Sequence, residues 1–252
     1  MNAIEQFLQH EIDIGSFPSA SYAIGTRDEL EHTGALGNAV AVPMRIRATT
    51  DTIYDCASLT KVLITTPLVL RAFALDDRVH GYTVRELLTH TSGLRAWLPL
   101  YTFDDPLRAI LEHGPECERG TRVIYSDLNF VLLWLALPGF ASQARSLIAS
   151  LGLRDAQFTP PAALRPRIAA TEWGQRYEAA MAKAPLSGLR QGLMWGEVHD
   201  GNAWHLGGTA GHAGLFATAR DVFHLVQAFA RGALVPASLV AEATREQAPG
   251  RG

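Results

Sequence analysis

The sequence predicts a mixed α and β fold built on an antiparallel sheet, and three stretches predict it. Ile4, Phe7, Leu8, Ile12 and Ile14 recur at near-helical spacing, so residues 3–14 read as an amphipathic helix. Residues 21–25 and 30–36 read as two strands around a polar turn at 26–29. Beyond Lys61 the residues Val62, Leu63, Ile64, Leu68, Val69 and Leu70 are apolar nearly all round a helix, which marks a buried one. Helix, hairpin and buried helix in that order indicate α+β.

The remaining elements follow from local signals. Gly15-Ser16-Phe17-Pro18 ends the first helix, and Pro67 is expected to kink the buried one by removing a hydrogen bond. Residues 83–90 form a short helix capped by Thr83, with Glu86 three positions later. Residues 105–113 form another, stopped by Gly114-Pro115. An apolar helix spans 128–137, and four prolines within 138–170 mark loops around a short helix near 144–151. Residues 195–214 are rich in glycine and histidine without clear periodicity. An amphipathic helix covers 219–230, and residues 249–252 read as loop.

Length and composition narrow the function classes. With 252 residues, 48% of them hydrophobic, the chain can bury a large core. A net charge of −3 without a basic stripe argues against a nucleic-acid partner. Two cysteines and no Cys-x-x-Cys leave no disulfide scaffold and no cysteine zinc site. No apolar run is long enough to span a bilayer, and no cofactor motif is present. The N-terminus lacks the basic and apolar regions of a signal peptide, so the expectation is cytoplasmic, or periplasmic or secreted if a leader has been removed.

The chemistry centres on Ser58-x-x-Lys61. The 22 basic residues include only two lysines, Lys61 and Lys183. Arginine cannot release its proton in a protein, whereas a desolvated lysine can. Positions i and i+3 share a helix face, so the amine reaches the hydroxyl. A helix N-terminus beside the serine also offers backbone N–H groups to a developing oxyanion. With eleven serines and two lysines the spacing alone arises by chance in about one such chain in ten, so partners are needed. Tyr125-x-Asp127, at the mouth of an apolar helix, supplies a second proton-transfer candidate. Taken alone, it reads equally well as a packed tyrosine before an aspartate N-cap.

Together these segments resemble the serine β-lactamase and penicillin-binding-protein superfamily. The match is to its class C-like branch, which includes D,D-peptidases and family VIII-type esterases. Asp51 to Lys61 resembles the first motif with its flanks, Arg85 to Leu94 a helix-to-loop segment, and Tyr125 to Phe130 the second motif. Residues 196–200 and 211–216 resemble cleft-side segments. The resemblance implies a single β-lactamase/transpeptidase-like domain over 1–252, with a helical subdomain at roughly 79–170. It implies Ser58 as nucleophile, Lys61 as its base and Tyr125 as the second acid/base. Asp127, His199 and His212 are then substrate-binding candidates, and the substrate is a small ester, amide or β-lactam. No metal or cofactor is called for.

The chain departs from this pattern at its end. Relatives carry a late Lys/His-Thr/Ser-Gly motif followed by further strands, whereas here residues 215–221 run into a helix. The third motif is read as missing and the C-terminal strands as absent. That predicts an exposed apolar groove, self-association through an open sheet edge and weakened turnover. Two rivals follow. One is a metal hydrolase on His199, Asp200, His205 and His212, which lacks any compact ligand spacing. The other is a catalytically impaired fragment that holds an acyl group or partner without turnover. An α/β-hydrolase is excluded because no Gly-x-Ser-x-Gly occurs.

Overall fold

The computed structural model describes residues 3–182, 186–248 and 250. Lys183 and most of the loop read at 249–252 therefore lie outside the described residues. Helix α1 (Ala3–Asp13) forms where the periodicity predicts it and lies against the second strand, yet none of its residues is buried. Strands β1 (Ser19–Gly25) and β2 (Leu30–Val40) make the predicted antiparallel hairpin, with Ser21 opposite Ala35 and Ala23 opposite Thr33. The second strand runs past residue 36 because Gly37 sits against Pro18, whose carbonyl would meet a Cβ there at 2.2 Å. Its end pairs with β3 (Ile46–Arg47).

Strand β4 (Tyr54–Asp55) leads into the nucleophile segment, which enters a π-helical turn over Lys61–Thr65 and then α2 (Thr66–Ala72). At Pro67, where a kink is expected, the hydrogen-bond ladder changes from π to α. Thr66 N–H donates to Lys61 O, and Pro67 falls in the first turn of α2, where its missing N–H costs nothing. A small hairpin, β5 (Arg78–Val79) and β6 (Tyr82–Thr83), precedes α3 (Val84–Leu88). The Thr83–Glu86 capping box that predicts α3 is formed in full. Then come α4 (Pro106–His113), α5 (Asp127–Leu135) and α6 (Phe140–Ser150), the last beginning four residues before the expected 144.

The remaining chain alternates short strands with helices. These are β7 (Gln157–Phe158), β8 (Ala170–Trp173), α7 (Arg176–Met181), β9 (Leu193–Trp195) and α8 (Gly201–His205). They are followed by β10 (Leu215–Ala217), α9 (Ala219–Ala230) and α10 (Ala237–Thr244). The segment read as running directly into a helix is thus a strand first. Strand β10 is buried and central, antiparallel to β4 on one side and β7 on the other.

The core forms around the nucleophile segment. Leu63, Ile64, Leu68 and Val69 join one buried cluster with Leu87, Leu128, Val131, Leu132 and Leu147. At about 1.5–3 kcal/mol per buried aliphatic side chain, this packing fixes Lys61 against α5. A second cluster, with Ile53, Ile168, Val198, Ala213 and Phe216, backs the opposite side. Among the described residues β1 pairs only with β2, and a groove of about 550 Å³ opens beside it, lined by Tyr22, Tyr54, Leu59, Phe223 and Val226. No single described helix is long and apolar enough to cross a membrane.

Candidate active site

Asp55 sets the turn that presents the serine. Its Oδ1 accepts from Ala57 N–H at 2.8 Å and its Oδ2 from His199 N–H at 2.7 Å, tying the turn to the far wall of the cleft. Burial pushes the Asp55 carboxyl up, and these two bonds oppose the rise. Ala57 is held at φ +44°, a left-handed conformation that costs a non-glycine residue roughly 1–3 kcal/mol. Ala57→Gly is accordingly expected to raise stability by about 1 kcal/mol in a denaturant titration, while loosening Ser58 and lowering kcat.

Ser58 follows at the head of the helical segment. The neighbouring N–H groups of Leu59, Thr60 and Lys61 already donate to the carbonyls of Cys56, Ala57 and Ser58. The expected set of free donors is therefore mostly consumed in making the turn.

Lys61 is 2% exposed, and its amine has three oxygen neighbours. Ser58 Oγ lies at 2.8 Å, Asp127 Oδ1 at 2.6 Å and the carbonyl of His212 at 3.3 Å. An ammonium fills all three with its three protons. A neutral amine keeps two for the pure acceptors, Asp127 and His212 O, and turns its lone pair to the Ser58 hydroxyl. Both protonation states therefore fit one geometry. The carbonyl arrives because Gly211 packs on α5, where a Cβ would meet Phe130 O at 2.4 Å, and Thr65 Oγ1 donates to Gly211 O at 2.6 Å.

The other predicted residues surround this pair. Tyr125 is half-exposed, and its ring centroid lies 4.8 Å from Lys61 Nζ. Among the described residues its hydroxyl holds no hydrogen bond to Ser58 or Lys61, as is common for proton-transfer groups before substrate arrives. Ser126, not Asp127, occupies the N-cap of α5. Asp127 engages Lys61 while also lining the cleft.

The His212 ring is buried and its Nε2–H donates to Asp200 Oδ1 at 2.9 Å, so its contribution to the cleft comes through its carbonyl. His199 lines the cleft, with Nε2 2.8 Å from Glu172 Oε2. His205 packs beside Tyr101. Of the four residues of the metal reading, Asp200 and His212 pair with each other while His199 and His205 turn to Glu172 and Tyr101, and no group of three or more ligand-type side chains converges among the described residues.

Sequence reasoning gave Asp200 a place only in the rival metal set and in a cleft-side segment, and missed Trp97, Tyr177, Met181 and Glu178. Asp200 caps α8 and carries His212. Burial raises its carboxyl, but the neighbouring imidazolium outweighs this and takes it down to about 2. Burial disfavours a charged His212, yet Asp200 draws its pKa above the ordinary value. Trp97, Tyr177 and Met181 give the 390 Å³ cleft an apolar wall. Glu178 is buried at its floor and accepts from Tyr101 Oη and Gln175 Nε2. Cys56, next to the turn, is no rival nucleophile, since burial pushes its thiol up to about 12.

Known proteins resemble this chain in sequence and in fold. A relative in Escherichia coli (strain K12), provisionally named a D-alanyl-D-alanine carboxypeptidase, is 27% identical over 281 residues, covering 92% of this chain and 64% of its own length. The chain thus spans under two thirds of the curated relatives it matches. Among solved structures, the octameric penicillin-binding protein homologue from Pyrococcus abyssi superposes with a TM-score of 0.72 at 17% identity, covering 97% of this chain and 60% of that one. The D-amino acid amidase from Ochrobactrum anthropi SV3 gives 0.70 at 22%, over 96% and 73%. A class C β-lactamase gives 0.65 at 18%, over 96% and 67%. These superpositions establish the β-lactamase/transpeptidase-like fold. The family model described as Beta-lactamase matches residues 4–251, and the chain belongs to the β-lactamase family.

Proposed function

We propose that the chain is a serine hydrolase that cleaves a small carboxylic ester or amide through an acyl-Ser58 intermediate. The observation that carries this is the continuous chain Ser58 Oγ, Lys61 Nζ, Asp127 Oδ1, held at 2.8 and 2.6 Å inside a 390 Å³ cleft. Ser58 Oγ attacks the substrate carbonyl and its proton passes to the Lys61 lone pair, while Asp127 and His212 O hold the other two amine protons. The oxyanion faces the Ser58 backbone N–H, the nearby amides of Ala57, Leu59, Thr60 and Lys61 being taken.

Collapse of the tetrahedral species breaks the carbonyl bond to the leaving group, which takes a proton delivered from Lys61 through Tyr125. Water then reverses the path and frees Ser58. The relatives' names, carboxypeptidase and amidase, support amides beside esters, and the apolar wall of Trp97, Tyr177 and Met181 favours an uncharged acyl side chain.

Intact-mass spectrometry after fluorophosphonate or penicillin treatment is expected to show one adduct, with peptide mapping placing it on Ser58. Sustained release from a short p-nitrophenyl ester would accompany it. A burst without turnover would favour the acyl-binding module, and an adduct mapped elsewhere would overturn the assignment.

A partner also fits the outer edge of β1, where no second strand pairs among the described residues. Val226 beside it is 53% exposed and Leu59 49%, an apolar strip next to a strand edge that no other strand covers among the described residues. Self-association through this edge predicts a molar mass that rises with concentration in light scattering, and Ala23→Pro, which removes an edge donor, is expected to lower it.

A further inference from the structure

We propose that His90 is the positioning residue that holds Tyr125 over the Ser58–Lys61 pair, acting as a neutral hydrogen-bond acceptor. The inference rests on the hydrolase reading above and adds a part to it. Helix α3 ends in a Schellman turn: Thr91 N–H donates to Glu86 O at 2.9 Å, and His90 N–H reaches Leu87 O at 3.4 Å. The residue in the left-handed position of such a turn is ordinarily glycine. Here it is His90, at φ +57°. Histidine tolerates this conformation better than most side chains, and its ring makes contacts here that glycine could not.

The ring and backbone of His90 bracket Tyr125. His90 O accepts from Ile124 N–H at 2.9 Å, and His90 Nδ1 accepts from Ser126 N–H at 3.0 Å. Both amides flanking the tyrosine are thus held by one residue. The imidazole also packs against the Tyr125 ring at a tilt of 39°, with centroids 4.5 Å apart. Nδ1 lies 3.1 Å from Asn129 Nδ2, and that amide is oriented by Ser92 Oγ–H, which donates to Asn129 Oδ1 at 2.6 Å. With two donors aimed at Nδ1, the proton of the neutral ring belongs on Nε2.

The surroundings keep the ring uncharged. Burial and the Lys61 ammonium both lower its pKa, against a smaller opposing pull from Asp127, leaving it at about 4. Tyr125 and Phe130 face the ring with aromatic surface only.

The test uses two substitutions that both suit a left-handed backbone. His90→Gly removes the ring and relieves the φ strain, so it is expected to fold while losing at least tenfold in kcat on a p-nitrophenyl ester, with KM within about threefold. His90→Asn returns an acceptor oxygen close to the place of Nδ1 and is expected to recover most of that loss. A folded His90→Gly with wild-type kcat would overturn the proposal, as would a His90→Asn no better than His90→Gly.

A readout independent of catalysis separates this proposal from its parent. In ¹⁵N NMR of the wild-type protein, His90 should show an unprotonated Nδ1 and a titration midpoint near 4. A ring protonated on Nδ1 at pH 7 would refute the acceptor role even in an active enzyme. If the wild-type chain labels but hydrolyses nothing, the hydrolase reading fails. The His90 assignment is then judged by fluorophosphonate labelling rates, expected to fall in His90→Gly and return in His90→Asn.

Discussion

Ser58→Ala and Lys61→Arg are each expected to lower kcat on an activated ester by roughly 10⁴–10⁶-fold, and the double variant is expected to be no worse than either single one. The serine supplies the hydroxyl that is hydrogen-bonded to the amine, so its loss removes the covalent step. Lys61→Arg keeps the positive charge but cannot surrender a proton. Its planar guanidinium must also enter a slot where the lysine is 2% exposed, between Ser58, Asp127 and the His212 carbonyl. The two residues act as a unit, and removing both cannot cost twice what removing one costs. Steady-state rates on a p-nitrophenyl ester, with active-site titration to correct for inactive protein, measure all three variants. Lys61→Arg retaining more than a tenth of wild-type kcat would mean that the lysine serves only as a fixed charge.

The Ser58–Lys61 contact was legible in the sequence because it is local: three positions apart puts both side chains on one helical face. The same holds for α3, whose Thr83–Glu86 box lies within one turn. What the sequence concealed is nonlocal. Asp127 reads as a substrate-binding residue, but it sits on Lys61 across 66 positions, a pairing no pattern of spacing exposes.

His212 reads as a cleft side chain, yet it delivers a backbone carbonyl and buries its ring on Asp200. The strands β4, β7, β9 and β10 have two or three residues each, too few for alternation to show, and they depend on tertiary pairing. His90 was visible only as part of a helix-to-loop segment. Its importance emerges from a positive φ, which a single sequence does not reveal.

The buried Asp200–His212 pair is the other place where one substitution should act strongly. Asp200→Asn keeps the side chain's size and an oxygen for both Ala203 N–H and His212 Nε2–H, so chiefly the charge is lost. Breaking a buried ion pair costs about 3–5 kcal/mol, and with 22% of the Asp200 side chain exposed the lower figure applies, about 3 kcal/mol. For a chain of this size that lowers Tm by roughly 6–12 °C.

The pH dependence has a definite sign. The folded pKa of Asp200, about 2, lies below its unfolded value, so its share of stability is present above about pH 4 and fades as pH falls towards 2. The folded pKa of His212 is raised, so its share is complete below about pH 6.5 and fades as pH rises through the folded value. The stability gap between wild type and Asp200→Asn is therefore expected to be widest between about pH 4 and 6.5 and to narrow on both sides. Urea titrations at pH 3, 5.5 and 9 would trace it. A gap independent of pH would show that the residue contributes shape and hydrogen bonds alone, with His212 neutral throughout.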